Sequence, residues 1–219
     1  MKSISYAITV ADEHEELIRL VNKILPFLRE QDEIIIQADT EKTSPEVQSA
    51  MIKLTKSSLN IDSNLHLTYF PLARNFAAFK NNLKNLCKND YIFFLDADEI
   101  PDSYLLEVLP ALLETNKDVD LFLVPRINTV IGITKEHIDK WKWTMDEQGR
   151  INYPDFQTRI VANKETMEWK GAIHERLIGY RTLTQLPIHV DQLAIYHSKT
   201  IERQEAQNKF YNNIVNGLK

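Results

Sequence analysis

The stretch Asn89-Asp-Tyr-Ile-Phe-Phe-Leu-Asp-Ala-Asp-Glu-Ile-Pro101 decides the fold of this chain. Its residues 91–95 form an unbroken aromatic and aliphatic run, which favours a strand buried on both faces of a parallel sheet. The run ends in Asp96-Ala97-Asp98-Glu99, and Pro101 then prevents further pairing. Three clustered carboxylates repel one another, so a divalent cation is their simplest partner, although an acidic turn facing water is the alternative. The stretch therefore predicts a site where ligands bind open α/β sheets.

The composition excludes several classes of protein. Of 219 residues, 43% are hydrophobic and 26% charged, which predicts one large α/β domain or at most two small ones. A net charge of −5 argues against a nucleic-acid groove, which requires a basic face. No apolar stretch approaches the ~18 residues of a transmembrane segment, and no signal-peptide pattern is present. The single cysteine, Cys87, is typical of a reducing compartment, so we expect a cytoplasmic protein.

Strand-like runs alternate with helical patterns over the first 125 residues. The strand-like runs are residues 4–10, 33–37, 65–70, 91–95 and 120–125. The helical patterns begin near Asp12, Pro45, Phe76 and Ser103. This alternation predicts right-handed crossovers and a doubly wound, mostly parallel sheet. The glycine-rich dinucleotide motif and the P-loop motif are both absent from the sequence.

The second half of the chain, residues 126–219, has a weaker pattern. Short strands are predicted at residues 156–161, 172–177 and 193–196, and a polar helix at 200–216. The irregular segment 128–154 holds His137, Trp141 and Trp143. These rings either pack in the core or form a surface for a sugar. Because no linker rich in proline, glycine or serine separates the halves, we interpret 1–219 as one domain with a smaller mixed extension.

Four segments of the chain carry a resemblance to a known family. They are Ile4-Ser-Tyr-Ala-Ile-Thr-Val-Ala-Asp-Glu13, Phe76-Ala-Ala-Phe-Lys-Asn81, Tyr91-Ile-Phe-Phe-Leu-Asp-Ala-Asp-Glu99 and Tyr153-Pro-Asp-Phe-Gln-Thr-Arg159. Together they resemble family 2 glycosyltransferases of the GT-A fold, nearest to compact single-domain members from bacteria and large viruses, the latter acting in the host cytoplasm. The resemblance implies metal-dependent, inverting transfer of a sugar from a nucleotide-diphosphate sugar, with a UDP-sugar favoured. The acceptor would be a glycan or another hydroxyl group, lipid-linked or protein-linked.

The resemblance implies that the nucleotide sugar binds at the carboxyl ends of the first strands. Family members hold the base and ribose at positions that match Thr9-Val10-Ala11-Asp12 and Asp39. A carboxylate suits this place because it accepts hydrogen bonds from ribose hydroxyls or a base N–H. Lys80-Asn81 stands where the family usually has Arg-Asn, so Lys80 would contact the diphosphate or base as a point charge. Arg74 is the competing match.

The Asp-x-Asp motif of the family matches Asp96-Ala97-Asp98. By resemblance, Asp96 and Ala97 would belong to the nucleotide-sugar site, Asp96 would also belong to the metal site through the ribose or metal-bound water, and Asp98 would bind the metal directly. The implied cofactor is Mn²⁺ or Mg²⁺, which neutralises the charge that develops as the nucleoside diphosphate leaves. A late histidine often completes the metal site, and His197 fits that position best, with His174 second.

An inverting transfer needs a base that deprotonates the acceptor hydroxyl as it attacks the anomeric carbon. Family members place an acid in the second half of the chain, and Asp155 matches that placement, with Glu175 as the rival. The family's fuller Glu-Asp pair is absent from this sequence. The alternative interpretation of Asp155 is an acidic turn residue that caps a backbone N–H.

Two other functions fit part of the pattern. A non-catalytic module that binds nucleotide sugars would keep the site without turnover. A phosphatase of the haloacid dehalogenase type also carries Asp-x-Asp after a strand, but normally near the start of its chain. Here the motif lies at residue 96, which favours the glycosyltransferase.

Overall fold

The computed structural model describes residues 1–57 and 64–217 of this chain. Its strands are β1 (Ile4–Val10), β2 (Glu33–Asp39), β3 (Leu65–Phe70), β4 (Tyr91–Asp96), β5 (Ile100–Pro101), β6 (Leu121–Ile131), β7 (Ile151–Ala162), β8 (Glu168–Lys170), β9 (Arg176–Ile178), β10 (Leu183–Gln185) and β11 (Ile195–Thr200). Its α-helices are α1 (His14–Ile24), α2 (Pro45–Ser57), α3 (Phe76–Leu86), α4 (Ser103–Thr115), α5 (Lys135–Trp141) and α6 (Ile201–Gly217).

One large sheet organises the molecule, with the strand order β3-β2-β1-β4-β7-β6-β11-β5 and β10 beside β6. The first four strands of this order pair in parallel. β7 is antiparallel to both β4 and β6, whereas β11 is again parallel to β6. The structure thus confirms the predicted α/β class with a mostly parallel sheet.

The apolar runs that the sequence marks as strands form the core of this sheet. Tyr6, Ile36, Phe93 and Phe94 are all at most 2% exposed, and together they fill the space on the faces of β1, β2 and β4. Full burial of such a side chain contributes about 1.5–3 kcal/mol to the free energy of folding, so the apolar composition of the central strands stabilises the sheet. Their carboxyl ends lie side by side, which fixes the backbone positions of Thr9, Asp39 and Asp96.

The second half of the chain departs from the predicted short strands. β7 covers twelve residues instead of six, and the strand predicted at 172–177 is present only at its end, where β9 begins at Arg176. In its place β8 and β9 form a hairpin around the loop 171–175, in which Gly171 and His174 have positive φ angles of 100° and 55°. Such backbone conformations interrupt a strand, and the side chains of the loop turn to the sheet's carboxyl edge.

The pairing of β7 with its neighbours determines which side chains reach that edge. β7 pairs with β4 only at residues 91–93, and beyond them it continues along β6. The end of β4 at Asp96 is therefore not covered by a neighbouring backbone on this side. In the described parts of the chain, no helix combines the length and the apolar character needed to cross a bilayer.

Candidate active site

A cavity of about 710 Å³ lies at the carboxyl ends of β1, β2 and β4, with further walls from α3, β6, β7, β11 and α6. Twelve of the side chains considered for the site line it: Thr9, Val10, Ala11, Asp39, Lys80, Asp96, Ala97, Asp98, Asp155, His174, Glu175 and His197. The described cavity wall does not include Asp12, Arg74 or Asn81. Asn81 instead links α3 to β8, since its amide bonds the backbone N–H and C=O of Trp169 at 2.8 and 2.9 Å.

Asp39, at the end of β2, lines this cavity and has one unsatisfied acceptor. Its Oδ1 accepts the backbone N–H groups of Glu41 and Leu72, each at 3.0 Å. Its Oδ2 is buried and has no hydrogen-bond partner in the structure. Leaving a buried acceptor unpaired costs about 1–3 kcal/mol, which a ligand N–H or hydroxyl would recover.

The loop after β1 is held by an acid that the sequence analysis did not single out. Glu13 Oε2 accepts the backbone N–H groups of Ala11 and Asp12 at 2.9 and 3.1 Å. Because the Glu13 carboxyl is buried away from water, its pKa is raised above the ordinary value. The backbone of the predicted base and ribose loop is thereby fixed before any ligand binds.

Asp96 is held between two donors on different strands. Thr9 Oγ1 donates to its Oδ1 at 2.8 Å, and Arg159 Nη2 donates to its Oδ2 at 2.7 Å. Desolvation raises the pKa of this carboxyl, but the positive charges of Arg159 and Lys80 outweigh it and hold the pKa well below its usual range. Asp96 is therefore an ionised acceptor whose two oxygens are both in use.

The third acid of the cluster, Glu99, is neutralised by arginines and not by a metal. Its side chain is fully buried, and its Oε1 accepts from Arg159 Nη2 at 2.6 Å and Arg126 Nη1 at 2.9 Å. Its Oε2 accepts the backbone N–H of Asp96 at 3.1 Å. The expectation that a cation must offset three repelling carboxylates is thus corrected, because only Asp98 of the three has no arginine from β6 or β7 beside it.

Asp98 faces the predicted histidine across the cavity floor. Its Oδ2 lies 3.3 Å from His197 Nε2 on β11, and 3.6 Å from both Lys199 Nζ and Arg203 Nη2. Burial raises the pKa of Asp98, but the contact and charge of His197 and the charge of Lys199 outweigh it and lower the pKa to about 2. The structure brings together Asp98 and His197, which are 99 positions apart in the sequence.

The donor set of this pair fits a divalent ion. Two ligands about 2.1 Å from one ion, at neighbouring octahedral positions, lie about 3 Å apart, close to the observed 3.3 Å. No third acidic, histidine or cysteine side chain completes a metal cluster within residues 1–57 and 64–217. Mg²⁺ and Mn²⁺ commonly take one or two protein ligands and complete their shell with phosphate oxygens and water. Asp98 and His197 would hold the ion, whereas Asp96 is occupied by Thr9 and Arg159.

The two acids considered as the catalytic base both line the cavity but have different partners. Asp155 Oδ2 accepts from Arg126 at 2.9 Å and Asn128 at 2.8 Å, and its Oδ1 accepts from Gln157 at 2.6 Å. Burial raises the pKa of Asp155, but Arg126 and these hydrogen bonds bring it below its ordinary value.

Glu175, the other acid, is paired with Lys80, the predicted diphosphate contact. The Lys80 ammonium also lies 4.5 Å from the centre of the Trp169 ring, in cation–π geometry. Lys80 is therefore already engaged on two sides, and a diphosphate would have to compete with Glu175 for it. His174, the second histidine candidate, precedes Glu175 in the same loop, and His197 is the one beside Asp98.

Several cavity residues were missed by the sequence analysis. They are Glu13, Arg126, Asn128, Gln157, Arg159 and Lys199, to which Arg203 is added because it lies beside Asp98. Glu13, Gln157 and Arg159 lie within the segments that carry the family resemblance, but none of the seven was assigned a role in the site. Their types are common on protein surfaces, so no local pattern distinguishes them from solvated residues.

Comparison with known proteins gives one family and several similar folds. Residues 5–177 match the family described as glycosyl transferase family 2. S. aureus TarS 1-349 is similar at a TM-score of 0.59 and 11% identity, over 90% of this chain and 60% of that chain. A second structure of S. aureus TarS gives a TM-score of 0.60 and 12% identity, over 90% and 37% of the two chains. No curated protein sequence matches the chain significantly.

A further solved structure is the mannosyltransferase PcManGT from Pyrobaculum calidifontis in complex with GDP-Man and Mn²⁺. Its TM-score is 0.48 and its identity 15%, over 57% of this chain and 35% of that chain. The chain thus spans 60% or less of the length of these three solved chains. At these identities the TarS structures support the fold alone, which is of the GT-A type.

Proposed function

The chain belongs to glycosyl transferase family 2, and from this premise we propose that it is a metal-dependent, inverting glycosyltransferase that uses a nucleotide-diphosphate sugar. One observation carries the proposal: Asp39, the ionised Asp96 and the Asp98–His197 pair all line a single cavity. Its volume of about 710 Å³ lies within the ~300–1,000 Å³ of typical ligand pockets.

In this proposal the nucleotide part of the donor binds at Asp39. Asp39 Oδ2 accepts a base N–H or a ribose hydroxyl, and the backbone of Val10 and Ala11 lies beside it. A UDP-sugar is the favoured donor by family resemblance, and the N–H of its uracil ring is a donor that a carboxylate can accept, as is that of guanine or thymine. Asp96 lies against the ribose or a metal-bound water, held at its place by Arg159.

The leaving diphosphate is bound where positive charge is concentrated. A bound Mn²⁺ or Mg²⁺ would supply Lewis-acid stabilisation of the developing charge, and Asp98 and His197 are the residues that would hold it. Lys199 and Arg203 add two fixed positive charges beside Asp98. Both are anchored, Lys199 by Gln207 at 2.8 Å and Arg203 by the acids of α1 and its N-terminus, so neither needs to be ordered on binding.

Asp155 is the base in this proposal. The acceptor oxygen bonds to the anomeric carbon from the face opposite the diphosphate, the bond to the diphosphate oxygen breaks, and the acceptor proton passes to Asp155. The low pKa of Asp155 keeps it ionised at neutral pH, which is the form that takes a proton. It also makes Asp155 a weak base, so its contribution should lie near the lower end of the ~10²–10⁴-fold range.

The acceptor is a hydroxyl group of a glycan, free or linked to lipid or protein. Trp143, Ile151 and Asn152 line the cavity on the side of Asp155 and offer an apolar and polar surface of the kind that sugars bind. The phosphatase alternative loses its support, because the chain matches a glycosyltransferase family over residues 5–177.

A binding and turnover experiment tests the proposal. The full chain is incubated with UDP-, GDP-, CMP- and dTDP-sugars, with and without Mn²⁺, and thermal unfolding and nucleotide release are measured. A donor at ~100 times its Kd should stabilise the fold by about 2.7 kcal/mol, and only with the metal present. Nucleotide release with an inverted product anomer, determined by NMR, supports the proposal. Binding without release indicates a non-catalytic module, and a retained anomer rules out the single displacement.

A further inference from the structure

One side chain, Asn128, contacts both the metal-binding histidine and the base of the proposed function. β6 and β11 are parallel neighbours, and their register pairs Asn128 directly with His197. Asn128 Oδ1 lies 2.7 Å from His197 Nδ1, and Asn128 Nδ2 donates to Asp155 Oδ2 at 2.8 Å. A single amide therefore bridges strands β7 and β11 at the centre of the cavity.

The orientation of this amide is set by Asp155. An ionised carboxylate can only accept hydrogen bonds, so the NH₂ group of Asn128 must face it. The amide oxygen then faces His197, and since this oxygen can only accept, the Nδ1 atom of the ring must carry the hydrogen. In the protonated ring Nε2 also carries a hydrogen and donates to Asp98 Oδ2, 3.3 Å away; when the ring is neutral with its hydrogen on Nδ1, Nε2 has the lone pair that a metal requires.

We propose that Asn128 is a positioning residue that, through one amide, keeps His197 in the Nδ1–H tautomer for a divalent metal and holds Asp155 for proton transfer. This inference rests on the proposed function. A partner on the second nitrogen of a metal-binding histidine fixes both the tautomer and the ring orientation, and its loss typically lowers metal affinity by about 10–100-fold.

The two partners of Asn128 differ in the hydrogen bonds that remain to them when Asn128 is removed. Asp155 keeps Arg126 and Gln157 when Asn128 is removed. His197 Nδ1 has no second hydrogen-bond partner in the described structure, and the other acceptor near the ring is Asp98, on the Nε2 side. Without Asn128 the ring is therefore expected to place its hydrogen on Nε2 and donate to Asp98, which removes the lone pair that a metal requires.

Two substitutions at position 128 separate the two contacts. Asn128→Ala removes both of them. Asn128→Asp keeps an acceptor for His197 Nδ1–H but replaces the donor to Asp155 by a repelling carboxylate. Ser198→Ala is the matched control, because it removes the neighbouring bond between β6 and β11, from Ser198 Oγ to Thr129 Oγ1 at 2.7 Å, and touches neither His197 nor Asp155.

The first measurement is the tautomer of His197, read from ¹⁵N–¹H NMR spectra of the metal-free protein at a pH where the ring is neutral. The signal is assigned by its loss in His197→Gln. We expect Nδ1–H in the wild type, in Asn128→Asp and in Ser198→Ala, and Nε2–H in Asn128→Ala. An Asn128→Ala protein that keeps the Nδ1–H tautomer, or a wild type with Nε2–H, overturns the proposal.

The second measurement is Mn²⁺ affinity in the presence of UDP, by titration calorimetry. Asn128→Ala should bind Mn²⁺ about 10–100-fold more weakly, whereas Asn128→Asp should bind it nearly as the wild type does and lose turnover instead. Equal loss of Mn²⁺ affinity in both variants overturns the proposal. A wild type that neither binds Mn²⁺ nor releases nucleotide overturns the proposed function, and the tautomer measurement still decides the role of Asn128.

Discussion

The two sides of the cavity are built on different principles. The nucleotide side, defined by Val10, Ala11 and Asp39, offers backbone groups and one carboxylate oxygen without a partner. The reaction side, where the turn after β4 meets the strands β6, β7 and β11, carries acids that are all paired: Glu99 and Asp155 with arginines, and Asp98 with His197 and Lys199.

This difference predicts how each side responds to a ligand. On the nucleotide side, binding satisfies a group that lacks a partner, so no existing contact has to break. On the reaction side, a metal, a diphosphate or a proton must compete with ion pairs already present, whose buried members depend on one another. Substitutions on the reaction side should therefore have the larger effects, and those on the nucleotide side should change binding alone.

The largest effect is expected for Asp98→Asn. A metal ion contributes several kcal/mol to stabilising the transition-state charge, so its loss should lower turnover by ~10³-fold or more and abolish Mn²⁺-dependent donor binding. Calorimetry with Mn²⁺ and a UDP-sugar measures this, and Asp118→Asn, an exposed acid outside the cavity wall, is the control. Normal Mn²⁺ binding by Asp98→Asn would contradict the assignment.

Arg159→Met should have the largest effect on stability. Arg159 is 3% exposed and bonds both Asp96 and Glu99, so its removal leaves the Asp96 carboxylate without an arginine and Glu99 with Arg126 alone. Breaking a buried ion pair in this way costs about 3–5 kcal/mol, to be measured by urea unfolding. Arg150→Met, which breaks more exposed pairs with Asp146 and Asp191 and a contact with the Tyr153 ring, should cost less than Arg159→Met does. Similar losses in the two variants would show that the Arg159 network is not tightly coupled.

Asp155→Asn separates chemistry from binding on the reaction side. Because its low pKa makes Asp155 a weak base, kcat should fall by ~10²-fold with little change in donor affinity. Glu175→Gln is the matched comparison, since Glu175 also lines the cavity and is also paired with a cation. A larger loss of kcat in Glu175→Gln would transfer the role of base to Glu175, and lost donor binding in Asp155→Asn would make Asp155 a binding residue.

Asp39→Asn should affect binding without chemistry. The amide keeps one oxygen for the backbone N–H groups of Glu41 and Leu72 but loses the charged acceptor. Donor affinity should fall by about 1–2 kcal/mol, roughly tenfold, with kcat at saturation unchanged. Steady-state kinetics over a range of donor concentrations measure both values. A loss in kcat at saturation would mean that the two sides of the cavity are not independent.

The smallest effect is expected in the acid unfolding of the protein. Arg126, Asn128 and Gln157 bring the pKa of Asp155 below its ordinary value of about 3.9, so the stability it contributes is complete above that value. It is lost as pH falls through the lower folded-state pKa. Unfolding free energies between about pH 5 and pH 2 should therefore decline less steeply in Asp155→Asn than in the wild type or Asp118→Asn. Parallel curves would show that Asp155 has no such shift.

The order of the first strands and helices was accessible from the sequence because it depends on local patterns. The apolar runs at β1, β2 and β4 are buried, and the helices after β1 and β2 connect strands that lie side by side in parallel. The same logic places Asp39 and Asp96 at one edge of the sheet. The resemblance of the motifs then indicated the family, which the match over residues 5–177 confirms.

The partners of the acids were decided by the tertiary structure alone. Asp96 contacts Arg159, 63 positions later in the sequence, because β7 lies beside β4. Asp98 contacts His197, 99 positions later, and β11 is placed there by its pairing with β6. The sequence pattern does not predict these contacts, because an arginine or asparagine on a strand has the same pattern around it whether its side chain faces water or a buried carboxylate. The sequence by itself determined where the acids lie; which of them are neutralised, and which is left to face a histidine, depends on strand pairing between segments far apart in the chain.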